Sequence, residues 1–161
     1  MLKKIAAPIL LVIILILGYI PYSKMVTESD NTNQQVIKDD RAERIDAYFT
    51  QRKMPLAGYG KIFVEEADKN GIDWRLMPAI SIKESSGGLH MCQYNPFGWG
   101  SCKVVFNSLE EAIRTLAVNL GGNNPRTSPY YKGDTRSKLH SYNGTVEAGY
   151  EDRVMAIMEK F

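Results

Sequence analysis

Histidine and cysteine are scarce, with two of each in 161 residues. His90, His140, Cys92 and Cys102 would just complete a zinc site, but their spacings fit no zinc motif. No metal and no cofactor is expected. An excess of charge is also missing. Twenty basic and 18 acidic side chains leave a net charge of +2, too even a balance to point to nucleic acid. No internal repeat is present. Acidic side chains are absent from the stretch between Ser85 and Leu109, and that gap constrains any chemistry placed there.

What the chain has at its start is an apolar run, Ile5 to Ile20, behind Met1-Leu2-Lys3-Lys4. Such a run, as a helix, spans roughly 24 Å, a little short of a hydrocarbon core of about 30 Å. Tyr19 and Tyr22 extend it into the headgroup interface. The segment that follows, G-Y-I-P-Y-S-K, holds no small-x-small cleavage site. Residues 1–22 therefore read as an uncleaved transmembrane anchor in preference to a cleaved signal peptide. Lys3 and Lys4 keep the amino end in the cytoplasm and place the rest outside, at a cell membrane crossed once. Residues 23–38 are polar and aperiodic and read as a flexible linker. Residues 39–161 remain for one folded domain.

Helical signals fill most of that domain. Asp39 or Asp40 can cap a helix carrying Ile45, Tyr48 and Phe49. Leu56 to Asn70 reads as a second helix ended by Gly71. A third starts at Asp73, contains Pro78, which should kink it slightly, and runs to Glu84 or Ser85. Lys103 to Phe106 suggests a short strand, so a small β-hairpin insert is expected within residues 89–106. Ser108 to Glu111 spells a capping box before a helix with an apolar stripe from Leu109 to Leu120. Asp134 caps a short helix, and a last helix carries Val154, Ile157, Met158 and Phe161 at helical spacing.

The chemically rich stretch is Ser81 to Cys102, S-I-K-E-S-S-G-G-L-H-M-C-Q-Y-N-P-F-G-W-G-S-C. Gly87 and Gly88 stop the third helix, so Glu84 lies in its last turn. The negative end of the macrodipole disfavours an anion there by roughly 0.3–1 kcal/mol. Tyr94, Asn95, Phe97 and Trp99 then crowd a turn-rich loop between the two cysteines. Trp99 either stacks on a ligand ring or packs the hairpin, and Tyr94 and Phe97 carry the same two readings. An ordinary helix end followed by a surface loop is the alternative for the whole stretch.

E-S-x-x-G at Glu84 to Gly88, followed by Y-N-P-F-G-W-G-S, resembles the lysozyme-like peptidoglycan-cleaving enzymes. The likeness is strongest to bacterial glucosaminidase domains, with lytic transglycosylases next, and runs from about Leu56 onward. It implies a mostly α, α+β lysozyme-like domain with Glu84 as catalytic acid and Asn95, Phe97 and Gly98 lining a sugar cleft. Tyr142-Asn143-Gly144 resembles the Y-N motif in which the tyrosine orients the acid, or is simply a helix stop. Tyr94, Trp99 and Asn143 complete the expected sugar contacts. Glycoside cleavage usually takes two carboxylates, yet none lies near Glu84 in sequence. A sugar acetamido or hydroxyl group would then act as nucleophile. The resulting expectation is a membrane-tethered β-N-acetylglucosaminidase-like glycosidase whose partners are peptidoglycan strands and the membrane, with no nucleic acid. Lytic transglycosylation and a non-catalytic wall-binding module are the alternatives. In an exported chain, Cys92 and Cys102 read as a disulfide closing the hairpin.

Overall fold

Apolar residues at helical spacing dictate most of the structure, which the computed structural model describes for residues 38–161. Six α-helices follow in order. They are α1 Arg41–Gln51, α2 Gly60–Asn70, α3 Leu76–Ser85, α4 Leu109–Leu120, α5 Thr135–Leu139 and α6 Tyr150–Met158. A π turn, His140–Gly144, continues α5. A tight turn, Trp99–Cys102, lies between α3 and α4.

Helix starts are set by local caps and, at α2, by a side chain brought from another helix. α2 starts at Gly60 and not at the expected Leu56, because Asp46 on α1 accepts the Gly58 and Gly60 N–H groups, both at 2.8 Å. Gly60 is required there: a Cβ would sit 2.1 Å from the Ala42 carbonyl oxygen, so α1 and α2 can touch backbone to backbone. Pro78 introduces no break, since it is the third residue of α3, where a backbone N–H has no intrahelical acceptor. Ser108 caps α4 by accepting the Glu111 N–H at 3.2 Å, while Glu111 reaches back to the Asn107 N–H at 2.7 Å. α3 and α6 run antiparallel. Glu84 meets Tyr150 at one end of the pair, and Arg75 meets Glu159 at the other. Ile45, Phe49, Phe63, Leu76, Ile80, Ile113 and Leu116 are among the fully buried side chains of the core that these helices share.

The expected α+β class is corrected to a mostly helical domain. No strand forms among the described residues, and the expected hairpin in 89–106 is reduced to one isolated bridge, Cys92 with Asn95. The reason is backbone conformation. Gln93, Tyr94, Gly98, Gly100, Ser101 and Cys102 all have positive φ between 41° and 63°, a left-handed conformation that an extended ladder cannot contain. Val104 and Val105, expected in a strand, are exposed instead.

The expected transmembrane helix over residues 1–22, and the linker apart from Lys38, lie outside the described residues. Among the described residues no helix is long and apolar enough to cross a membrane; the longest, α4, has 12 residues, about 18 Å of helix. The described residues therefore give no support to the expected single-pass location at a cell membrane or to the membrane as partner.

Candidate functional site

Glu84 ends α3 half-buried, and the left-handed residue that stops the helix is Ser86, φ 54°, one position before the expected glycines. Ser85 fixes this helix end to the following loop. Its hydroxyl donates to the Pro96 carbonyl at 2.6 Å and accepts the Gly88 N–H at 3.0 Å. The loop thereby returns to the carboxylate. A Cβ on Gly98 would stand 3.2 Å from Glu84 Oε2, so one carboxylate oxygen faces the backbone of the N-P-F-G segment.

The other oxygen is held from α6. Tyr150 Oη donates to Glu84 Oε1 at 2.7 Å. Tyr150 is fully buried at the first turn of α6, where the spacing of Val154 and Met158 puts it on the apolar face. Burial, and then the hydrogen bond to Glu84, push its phenol far above the ordinary 10.0. Tyr150 therefore stays a donor across the physiological range. Tyr142 stacks on it with ring centroids 6.1 Å apart and planes 15° apart. Its hydroxyl donates to the Phe97 carbonyl. Burial first, then the charge of Glu84, raises the Tyr142 phenol well above its usual value. Trp99 continues the row 5.8 Å from Tyr142, and Tyr131 follows at 6.2 Å. Burial pushes Tyr131 to about 12.

Comparison with known proteins gives no match: no family model, curated protein or solved structure is similar to the chain.

The expected site residues fall into different places. Glu84, Tyr142 and Trp99 gather around the carboxylate and its row of rings. Phe97 contributes its backbone carbonyl, while its ring is fully buried against Phe63 at 6.4 Å. Asn95 is 1% exposed. Its amide donates to the Trp99 and Val104 carbonyls at 2.9 and 3.2 Å and accepts the Trp99 N–H at 3.0 Å. Its polar groups are thus committed to shaping the loop. Tyr94 is half-exposed and outside the row. Asn143 contacts Glu147 at 3.3 Å. Glu147 is bound by Lys83 at 3.1 Å and by Arg153, and Lys83 holds its carboxyl below the usual range. Cys92 and Cys102 form a disulfide across the loop. Tyr150 and Ser85 are the contacts that sequence reading missed. The signal for Tyr150 was available, because the stripe Val154, Met158 extended back by one step of four reaches it.

No group of three or more His, Cys, Asp or Glu side chains able to hold a metal occurs among the described residues. The expectation of a membrane-tethered, peptidoglycan-cleaving glucosaminidase of α+β fold is corrected: the described residues hold no strand and no membrane-length helix. What the described residues form is a helical domain with one half-buried carboxylate, held at one oxygen by Tyr150 and faced at the other by Gly98.

Proposed function

We propose that the chain is a glycosidase in which Glu84 is the proton donor, acting on oligosaccharides of N-acetylated sugars. The observation that carries this reading is the asymmetric grip on Glu84. Tyr150 occupies Oε1 as a donor, so the proton of the neutral acid belongs on Oε2, beside Gly98. A glycosidic oxygen brought to that edge receives the proton as its C–O bond breaks, the bonding pair passing to the leaving oxygen. The sugar's acetamido oxygen or a hydroxyl forms the new bond to the anomeric carbon, so no second carboxylate is needed. The Glu84 carboxylate then takes a proton from the attacking water or hydroxyl and returns to its starting form. Trp99, partly exposed within the ring row between Tyr142 and Tyr131, offers an aromatic face for a sugar. The likeness of E-S-x-x-G and N-P-F-G-W-G to glucosaminidases and lytic transglycosylases supports the same chemistry.

The test is incubation of the chain with β-1,4-linked N-acetylhexosamine oligosaccharides, followed by mass spectrometry of the new ends. The expected outcome is internal cleavage. Intact oligosaccharides after prolonged incubation with folded protein would overturn the reading.

A further inference from the structure

The two stacked tyrosines beside Glu84 come from different elements. Tyr150 opens α6, and Tyr142 sits inside the π turn. Their phenols do not bond each other: Tyr142 donates to the Phe97 carbonyl and Tyr150 to Glu84. Their register therefore depends on how the π turn is held against α6.

Two side-chain pairs cross from α5 and the π turn to α6. Arg136 meets Asp152 at 2.7 Å, with the two side chains 54% and 71% exposed. His140 Nδ1 lies 2.6 Å from Glu151 Oε1, and there the carboxylate is only 14% exposed. An exposed pair adds little stability, whereas a shielded hydrogen bond to a charged group adds more. The Glu151 backbone N–H, and then His140, hold the Glu151 carboxyl below the usual range. An ionised carboxylate only accepts, so the proton lies on Nδ1. His140 starts the π turn two residues before Tyr142, and Glu151 directly follows Tyr150. The pair thus ties the two elements together beside the two tyrosines.

Gly144 shows that this approach is built into the turn. It ends the π turn, and a Cβ there would collide with Glu151 Oε1 and stand 3.0 Å from His140 Nδ1. Gly144 is not among the residues with positive φ, so the glycine serves space and not a left-handed backbone. The turn is widened by a bond from the Thr145 N–H to the His140 carbonyl at 3.2 Å, a π geometry found mostly at functional sites.

We propose that His140 is a positioning residue: its hydrogen bond to Glu151, seated over Gly144, keeps Tyr142 in register on Tyr150 and so steadies the donor on Glu84. The effect on cleavage rests on the glycosidase reading; the effect on the rings does not. Misplacing a catalytic group by about 1 Å costs up to roughly 100-fold in rate, and a loosened register is expected to cost about tenfold.

The experiment compares variants of the full chain by NMR of the Tyr142 and Tyr150 ring resonances and by kinetics on β-1,4-linked N-acetylhexosamine oligosaccharides. His140→Ala should move both sets of ring resonances and lower kcat about tenfold at unchanged KM. Gly144→Ala should do the same, because the added methyl drives Glu151 away from His140. His140→Asn, whose amide places a donor near the position of Nδ1, should restore both readouts. Arg136→Gln, which breaks the exposed pair between the same elements, should change neither. Unmoved ring resonances in folded His140→Ala would overturn the proposal, as would equal movement in Arg136→Gln or a rise in KM at unchanged kcat. The rings report on the pair without any cleavage, so a wild-type chain that cleaves nothing would overturn the glycosidase reading alone.

Discussion

Tyr150 and Asn95 show how differently two buried polar side chains can serve one carboxylate. Tyr150 acts on Glu84 directly, through a single hydrogen bond. A hydrogen bond to a charged group is worth about 1.5–3 kcal/mol, so Tyr150→Phe should lower kcat by roughly 10- to 100-fold. KM should barely change, since the hydroxyl meets the acid and not the sugar. A rise in KM at unchanged kcat would place Tyr150 in substrate binding instead. Asn95 acts only through the loop. Its amide closes three hydrogen bonds to backbone, and removing it strands buried groups at about 1–3 kcal/mol. Asn95→Ala should therefore lose about 2 kcal/mol or more in denaturant unfolding. A loss within about 0.5 kcal/mol, the range of an ordinary surface change, would contradict the structural role.

At the scale of elements, the helices were largely legible and the insert was not. The stripe from Leu109 to Leu120 and the Ser108 cap specify α4 locally, and Gly71 ends α2 with φ 64° as its sequence context implies. The start of α2 was misplaced because its cap, Asp46, comes from another helix. The last helix, expected from the spacing of Val154, Ile157, Met158 and Phe161, begins at Tyr150, behind Gly149 at φ 72°. The insert was misjudged for a physical reason. Lys103 to Phe106 has strand propensity, but the left-handed residues before it break the extended backbone, and the Asn95 amide takes the Val104 carbonyl. The position of Glu84 before a helix stop was legible; its hydrogen bond from Tyr150 depends on a contact 66 positions away. The disulfide of Cys92 and Cys102 now gains a role, because it closes the loop that brings Gly98 to Glu84. Replacing both cysteines by serine should cost about 2–3 kcal/mol for so short a loop. It should also reduce cleavage at temperatures where the variant is still folded by circular dichroism. Full activity in such a variant would mean the loop holds its shape unaided.

For the whole molecule, the row of phenols, Tyr131 and Tyr150 buried and Tyr142 partly so, predicts how stability responds to alkali. Burial raises Tyr131, Tyr142 and Tyr150 above the ordinary value of 10.0. In the unfolded chain these phenols ionise near pH 10, while the native protein keeps their protons. The unfolded state then binds fewer protons, so stability is fully present below about pH 10 and falls as pH rises above it. The slope approaches about 1.4 kcal/mol per pH unit for each phenol. Urea unfolding between pH 8 and 11 should show this fall, and Tyr150→Phe should make it shallower. A flat profile would mean the three phenols are not buried as described. The central claim, that one carboxylate gripped by Tyr150 and faced by Gly98 carries glycoside cleavage, rests on Glu84 differing from the other acid of its neighbourhood, Glu147. The most direct measurement is the cleavage rate of Glu84→Gln beside that of Glu147→Gln, on β-1,4-linked N-acetylhexosamine oligosaccharides and with folding checked by circular dichroism. Loss of a placed proton donor commonly lowers the rate by about 10²- to 10⁴-fold. The account predicts a loss of that size for Glu84→Gln and less than about a tenfold loss for Glu147→Gln, a barrier change under about 1.4 kcal/mol. A folded Glu84→Gln protein that cleaves at the wild-type rate would contradict it, as would a Glu147→Gln protein that is equally inactive.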